Sequence, residues 1–508
     1  MNTWIWTDGE GMALEFASMH PPNELIHALR QVSGMEGKVT RQPDDPVPRM
    51  RSSQATKTLM WVRWEGTDAT TSKWLARFHE PQSFIYRTNC DASQLQRRQD
   101  VDLSTILARH GVPISQEKGI RRYKVHVYHL RVLAVFRCVL LGPSGLSSDQ
   151  PIDLDRSDAV IRRICRLAIR ALYCVGWDIG EVHIEQQQSG GMVVVESLLS
   201  PPELSSKELA RHYAQAMLHD RDRFRDEAER STPAMLGMDP EFILYDADQG
   251  KAVSASKFLP KEGPVGCDAV WVRSNGNRLD DEGIEQTVTV NSPIYPLVEL
   301  RPEPREEPRD LIIQLMRTMQ LAARTIPDSN LRWLAGGMPL PGLAIGGHIH
   351  FSGLWLNAQL LRVLDNYIAL PIAIIEAKTS ARRRPRYGIL GDFRVQPHSG
   401  FEYRTLPSWL VSPVVTKGVI ALAQLVALEY RLLTRRYTND DRVVEAFYEG
   451  NSQFLADYFE PLYDDLSHLP SYGKYARYIE PLMDRIRQRV PWDEQQDIRK
   501  LWKIPPFQ

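Results

Sequence analysis

The sequence predicts an α+β protein of at least two domains, and three observations carry that prediction. At 508 residues the chain exceeds what one hydrophobic core organises. Several short apolar runs carry charged residues two positions apart, the spacing that puts both on one face of a strand. Between them lie segments whose apolar residues recur at three- and four-residue steps, as in helices packed along one face.

Lys plus Arg total 62 and Asp plus Glu 63, a formal net charge of -1. Nothing in that balance points to nucleic acid or an anionic membrane as a partner. The five cysteines, Cys90, Cys138, Cys165, Cys174 and Cys267, are scattered without a Cys-x-x-Cys pair. That argues against a zinc cluster or a disulfide framework and fits a reducing cytoplasm. Met1 to Asp8 has no basic segment leading into an apolar one, and no run of about 18 apolar residues stands out. The expectation is a cytoplasmic protein with neither a secretion signal nor a membrane partner.

Taken in order, the first half alternates strands and helices. Leu59 to Trp64 is an aromatic, apolar run of strand type closed by the polar turn Glu65 to Asp68. Asp102 to Gly111 reads as a helix stopped by a glycine, with Arg109 and His110 in its last turn. Val125 to Leu140 is a hairpin candidate turning near His129. Val160, Ile161, Ile164, Ala168, Ile169 and Leu172 trace one face of a helix ending near Gly176. Strands are expected at Ile179 to Ile184 and Met192 to Ser197, then a charged connecting helix from Ser205 to Arg230. A polar run meeting a proline at Arg230 to Pro233 marks the domain boundary.

That order is carried by Tyr123-Lys124-Val125-His126-Val127, by Ala171 to Ile184, and by Val194-Val195-Glu196-Ser197, and it resembles the C-terminal part of an ATP-grasp domain. The resemblance implies an α/β domain over residues 1–230. Where that family sets its magnesium ligands this chain has His183, Glu196 and Leu198. One carboxylate is a poor home for a cation that demands near-octahedral oxygen ligation. Ile114 to Ile120 is also too short to hold the lobe that supplies the family's ATP-binding lysine. The expectation is a shrunken, non-catalytic remnant that scaffolds or presents a substrate.

The second half opens on Gly237-Met238-Asp239-Pro240-Glu241-Phe242. As a strand it puts Asp239 and Glu241 on one face, and the proline suits a strand start while excluding a central helix. Paired carboxylates are what magnesium and manganese select. In Leu297 to Pro302, Glu299 and Arg301 share a face, and charge inside an apolar run is costly unless compensated. An amphipathic helix follows from Pro308 to Ala323, then Gly346-Gly347-His348-Ile349-His350-Phe351-Ser352-Gly353, a strand with both histidines on one face. A strongly apolar helix is expected from Asn357 to Thr379. The basic run Arg382-Arg383-Arg384-Pro385-Arg386 suits an anion clamp for phosphates better than a nucleic-acid surface, for which the neutral composition offers no broader basic face. Gly400 to Pro407 reads as another strand, with Glu402 and Arg404 on one face. The tail from Thr416 to Gln508 looks helical, with an apolar face at Val419, Leu422, Leu425, Leu428 and Leu432 for the sheet or a second subunit. Any one of these fragments alone is consistent with solvated acids or a core histidine pair. Four strands repeating the pattern are poorly explained by chance.

Gly237-x-Asp239-Pro240-Glu241-Phe242, Glu299-Leu300-Arg301-Pro302, Gly347-His348-Ile349-His350 and Glu402-Tyr403-Arg404, in that order, resemble the amidoligase superfamily of glutamine synthetase and glutamate-cysteine ligase. The best match is its phage-type carboxylate-amine ligases of type 2. The resemblance implies a glutamine-synthetase-like antiparallel sheet with helices packed on one side over residues 231–415, extended by helices over 416–508. Its open face would bind ATP and two or three Mg2+ or Mn2+ ions. By motif, Asp239, Glu241, Glu299, His348 and Glu402 match metal ligands. Arg301, Arg394 and Arg404 match residues that act on the transferring group, and Arg394 and Arg404, with Arg384 and His350, are expected around the nucleotide. Asp268 is the nearest candidate for one further acid of the pattern. The implied reaction joins a carboxylate to an amine through an acyl phosphate, the two ends coming from small molecules, peptides or protein termini. A guanidino-kinase-type phosphotransferase on the same architecture and a catalytically inactive binding module stay open as alternatives, as does assembly into a homo-oligomer.

Overall fold

The computed structural model describes residues 102–506 except 116–118, 142–145, 156–157, 189–191, 230–233, 280–284 and 398–399, and, ahead of 102, residues 4–7, 12–16, 22–33, 38–40, 59–64 and 85–89. The expected turn at Glu65 to Asp68 and the expected boundary at Arg230 to Pro233 lie outside these residues. By internal contacts, residues 1–231 with 355–361 form one compact unit, and 232–354 with 362–508 form a second.

The first unit contains two sheets. One comprises β1 (Trp4–Thr7), β2 (Met12–Phe16), β3 (Lys38–Thr40), β4 (Leu59–Arg63) and β5 (Ile85–Thr88), in the order β3-β1-β2-β4-β5. The other comprises β6 (Arg121–Tyr128), β7 (Arg131–Leu141), β8 (Leu146–Pro151), β9 (Ile179–Gln186) and β10 (Val193–Leu199), in the order β10-β9-β6-β7-β8 and antiparallel throughout. The helix Ala159–Cys174 covers this second sheet, burying Ile164, Ala168 and Leu172 against Val125, Val182 and Ile184. Asp158 starts it by accepting from the Val160 and Ile161 N–H groups. The β6–β7 hairpin turns on His129 and Leu130, both left-handed at φ 45° and 63°. Such a turn favours glycine or asparagine. Here other contacts hold it, for His129 N–H donates to the Asp178 carbonyl at 2.6 Å and its Nδ1 lies 2.7 Å from Asp220.

On the sheet's other face charged side chains pair with one another: Arg122 with Glu185 at 2.9 Å and Lys124 with Asp149 at 2.8 Å. His183 sits between Glu181 and Ser197, at 2.6 and 3.1 Å. Glu196 pairs with Arg122 at 3.3 Å, and Leu198 is buried. The three positions expected to hold magnesium ligands in an ATP-grasp domain are thus occupied by contacts within the protein.

The second unit is built on β11 (Met235–Asp246), β12 (Lys251–Ala252), β13 (Val265–Leu279), β14 (Glu285–Leu300), β15 (Leu331–Leu334), β16 (Gly347–Ser352), β17 (Phe393–Val395) and β18 (Phe401–Tyr403). The order is β13-β14-β11-β16-β18-β17, antiparallel, with β12 and β15 also paired to β11. Alternate residues Phe242, Val298, Ile349, Phe351, Phe401 and Tyr403 are buried. Phe242 stacks on Trp333 at 4.4 Å and Phe351 on Phe401 at 5.1 Å. The helix Pro308–Thr325 packs against β11, β13 and β14 and buries Leu311, Leu315 and Met319. These positions give the sheet one apolar side and leave the charged residues of the same strands on the other.

Three expectations for this half need correction. The single helix from Asn357 to Thr379 is Ala358–Leu364, a wide π-type turn at Asp365–Ala369, and Leu370–Ile375. Pro371 has no N–H to donate back along the helix, which favours a local widening. The carboxylate of Asp365, in that turn, accepts from Tyr403 Oη at 2.7 Å and Gly391 N at 3.0 Å. The tail does not present one apolar face, because Val419, Leu422 and Leu425 are buried while Leu428 and Leu432 are exposed. The helix Pro413–Glu429 is enclosed nearly all round, and Gly418 lets it approach the helix Tyr472–Arg487, where an added Cβ would collide with Leu482. Residues 358–375 and 413–432 are long and apolar enough to cross a membrane by composition, contrary to expectation, and both are mostly buried in the fold.

Candidate active site

Strand register alone assembles the site. Glu299 on β14 faces Glu241 on β11, and Asp239 on β11 faces His348 on β16. Next, His350 on β16 faces Glu402 on β18, which faces Arg394 on β17. Directly opposed residues point to the same side of a sheet, as do residues two apart on one strand. Five adjacent strands therefore set Glu299, Glu241, Asp239, His348, His350, Glu402 and Arg394 in one row on one face.

Within the row, His348 Nδ1 lies 3.1 Å from both Asp239 Oδ1 and Glu402 Oε1, and His350 Nε2 lies 3.1 Å from Asp239 Oδ2. Arg404 Nε approaches Glu402 Oε1 at 3.0 Å, and Arg394 Nη1 approaches Oε2 at 3.2 Å. Glu241 accepts from Gly346 N at 2.7 Å, and Glu299 pairs with Arg301. A side chain at Gly346 would strike His348 Nε2, so the glycine is what lets the backbone pass this close.

Burial raises the cost of every charge here, and neighbours decide the outcome. Although burial opposes it, contact with His348 and His350 holds Asp239 well below the usual carboxylate range. Glu402 is lowered against burial by His348. Burial would lower His348, but Asp239 and Glu402 raise it to about 10. Glu241 is pushed by burial up to about 7, and Glu299 by burial and the charge of Asp239 up to about 8.

Asp239 Oδ1, His350 Nε2 and Glu402 Oε1 are buried yet make no hydrogen bond among the described residues, their short contacts being misaligned for one. Asp239, His350 and Glu402 offer ligand atoms that all lie within 4.8 Å of one another. Two carboxylates and an imidazole with unsatisfied atoms fit a hard divalent cation such as Mg2+ or Mn2+. His350 completes that set, while His348, the ligand by motif, brings its Nδ1 to 3.1 Å from each of the same two acids. Glu241, on the same strand as Asp239, faces Glu299 across to β14, and Asp239 lies close enough to raise the Glu299 carboxyl.

A cavity of about 800 Å³ opens beside the row. Glu241, His348 and Arg404 border it, together with Arg383, Arg386 and Asp392. Leu297 and Ile345 give it an apolar end. Asp268 lines it too, opposite Leu297 and on the same face as Glu299. Arg384, expected near the nucleotide, is not brought there. Its guanidinium is buried against Glu376 and lies 4.1 Å above the Phe447 ring, so both its charge and its plane are engaged elsewhere. From the same run Arg383, lowered to about 10 by burial, and Arg386 reach the cavity. The basic run identified the segment, but residue type could not say which guanidinium turns inward. Glu494 was also missed. Far along the chain and buried, it accepts from Gly337 N, Met338 N (3.2 Å) and Ser380 Oγ (2.6 Å), with Thr379 Oγ1 donating at 2.6 Å. It ties the segment leading to β16 to the turn that ends at Arg383.

A sequence model of the phage phiEco32-like COOH.NH2 ligase-type 2 family matches residues 236–504, more than half of the chain and the whole of the charged row. No curated protein matches the chain. Among solved structures, ATP-grasp ligase PsnB complexed with minimal precursor is similar at 10% identity, covering 42% of this chain and 99% of that one, with a TM-score of 0.26. Apo GmaS without ligand is similar at 13% identity over 76% of this chain and 95% of that one, TM-score 0.29. A bifunctional glutathione synthetase from Pasteurella multocida is similar at 10% over 54% and 51%, TM-score 0.32. At such TM-scores these likenesses carry no argument about chemistry.

Proposed function

The chain belongs to the phage phiEco32-like COOH.NH2 ligase-type 2 family, and on that premise we propose that its second unit joins a carboxylate to an amine at the expense of ATP, through an acyl phosphate. The observation that carries this reading is the row of buried, under-satisfied acids and histidines bordered by arginines beside one cavity.

A carboxylate is a poor acylating agent because its oxide does not leave. Accepting the γ-phosphoryl of ATP turns that oxygen into part of a phosphate, which does. Bound Mg2+ or Mn2+ neutralises phosphate charge during such a transfer. Asp239, His350 and Glu402 would hold one such ion, and Glu241 with Glu299 a second. His348 keeps Asp239 and Glu402 oriented through its two contacts. Arg404 and Arg394, both turned to Glu402, supply fixed positive charge where negative charge gathers. An amine then attacks the acyl carbon, phosphate departs with its bonding pair, and the amine releases a proton. Asp268 and Asp392 are the cavity carboxylates outside the row that can take it.

The substrates are the carboxylate and amine ends of small molecules, peptides or protein termini, and the cytoplasm, where ATP is plentiful, is the compartment. The test is ADP release by the purified protein with magnesium and mixed carboxylate and amine pools, followed by mass spectrometry of the product. Amine-dependent ADP release with a product lighter than its two substrates by one water is expected. A folded protein that releases no ADP in any pool would overturn the reading.

A further inference from the structure

Arg383 closes the short turn Ser380–Arg383 and is only 4% exposed. Its Nη2 donates to the carbonyl oxygens of Thr405 and Leu406, 3.2 Å away in each case. Among the described residues Nε and Nη1 have no hydrogen-bond partner, although the side chain borders the cavity. Glu376, the acid closest in sequence, is taken by Arg384. Burying a guanidinium with three of its five N–H donors unused is costly unless something supplies the missing acceptors.

The surroundings hold that guanidinium in place. Gly388, left-handed at φ +67°, passes so close that a Cβ there would run into it. Tyr387 N donates to the Arg383 carbonyl at 2.8 Å, closing the loop between them. Arg386, in the same loop, borders the same cavity and is exposed, so a second positive charge stands at the opening. A fixed, desolvated guanidinium whose Nε and Nη1 lack an acceptor attracts an oxyanion of a ligand, one oxygen to each free N–H direction.

We propose that Arg383, with Arg386 at the rim, forms an oxyanion-binding subsite that receives a carboxylate or phosphate group of a ligand in this cavity, apart from the Asp239, His350 and Glu402 cluster. That the ligand is a substrate rests on the proposed ligation; that it binds does not.

The experiment is a thermal-shift titration of the full chain at constant ionic strength, chloride being the reference. One arm uses inorganic phosphate, pyrophosphate and Mg-ADP; the other uses acetate and glutamate. At least one arm should stabilise the wild type beyond chloride. Its apparent affinity should fall about tenfold or more in Arg383→Gln and about two- to fivefold in Arg386→Gln. The arm that responds identifies the anion's source. No stabilisation beyond chloride in either arm, or an equal response from Arg383→Gln and the wild type, overturns the subsite. Where Arg383→Gln does not fold, the exposed Arg386→Gln decides, and undiminished affinity there overturns it. These readouts need no turnover. Anion binding without ADP release would sink the ligase reading alone, and ADP release without anion binding would sink the subsite alone.

Discussion

Glu241 on β11 and Glu299 on β14 stand directly opposite each other, both buried, on the face that carries the site. Like charges in that position repel, and burial amplifies the repulsion. Two arrangements relieve it: a proton held on the pair, or a cation between the strands. Without a cation the first is favoured, since burial and the nearby Asp239 push the two carboxyls up to about 7 and about 8.

The pH dependence of stability follows. Both groups titrate higher folded than unfolded, so the folded state holds the extra proton. The resulting stability is full below the ordinary carboxyl value of 4.5 and is lost as pH rises through about 7 to about 8. His348, raised to about 10 against burial by Asp239 and Glu402, loses its contribution over a higher window, from its ordinary 6.5 to about 10. The Tm of the metal-free protein should therefore decline from about pH 5 to about pH 8. Mg2+ or Mn2+ must displace those protons, so the Tm gain it confers should grow across the same range. Calorimetry with and without metal at several pH values checks both. A metal gain larger at about pH 5.5 than at about pH 8 contradicts the arrangement.

Glu402 contacts His348, Arg394 and Arg404 at once. Glu402→Gln and His348→Ala should each lower amine-dependent ADP release by about 100-fold or more, the scale on which losing a fixed electrostatic partner acts. Glu196→Gln in the first unit should change the rate by less than about twofold, because among the described residues Glu196 pairs with Arg122. Equal losses from all three would mean that the first unit takes part in the chemistry.

Arg384 is a structural group by its contacts. Arg384→Met leaves Glu376 buried without its partner and should cost about 3–5 kcal/mol. Replacing Glu376 by Met as well should restore most of that. Denaturant titration of the single and double variants measures both. In whatever folds, the affinity for Mg-ADP should stay within about twofold of wild type, and a large loss would return Arg384 to the site.

Glu494 gathers four donors from two segments. Glu494→Gln keeps the size but offers one acceptor oxygen instead of two, and hydrogen bonds to a charged acceptor are worth about 1.5–3 kcal/mol each. A loss of about 2–3 kcal/mol is expected, which lowers Tm by roughly 5–10 °C for a unit of this size. Unchanged stability would show that the segment near Gly337 is held by other contacts.

Much of the fold was legible in advance because its signals are local. The hairpin around His129 follows from period-two alternation, and the helices beginning at Ala159 and Pro308 follow from their three- and four-residue steps. The misreadings came where distant contacts overrode local pattern. The apolar run after Asn357 widens into a π-type turn at Asp365, and the apolar residues after Thr416 are enclosed all round rather than along one stripe. Glu494 carried no signal at all, since a lone acid near the end of a chain does not reveal that four donors converge on it.

By itself the sequence determined which charged residues share a face. Alternation along a strand is a property of the backbone and needs no partner, so Asp239 with Glu241, His348 with His350 and Glu402 with Arg404 were paired before any fold was known. Only the tertiary structure decided which strands lie side by side, and hence that Glu299 meets Glu241 and that His350 meets Glu402. It also decided between neighbours of identical type: Arg384 turns to Glu376 and Phe447 while Arg383 turns to the cavity. Those choices depend on strand register and on side chains far apart in the chain, and nothing in the local spacing of residues encodes them.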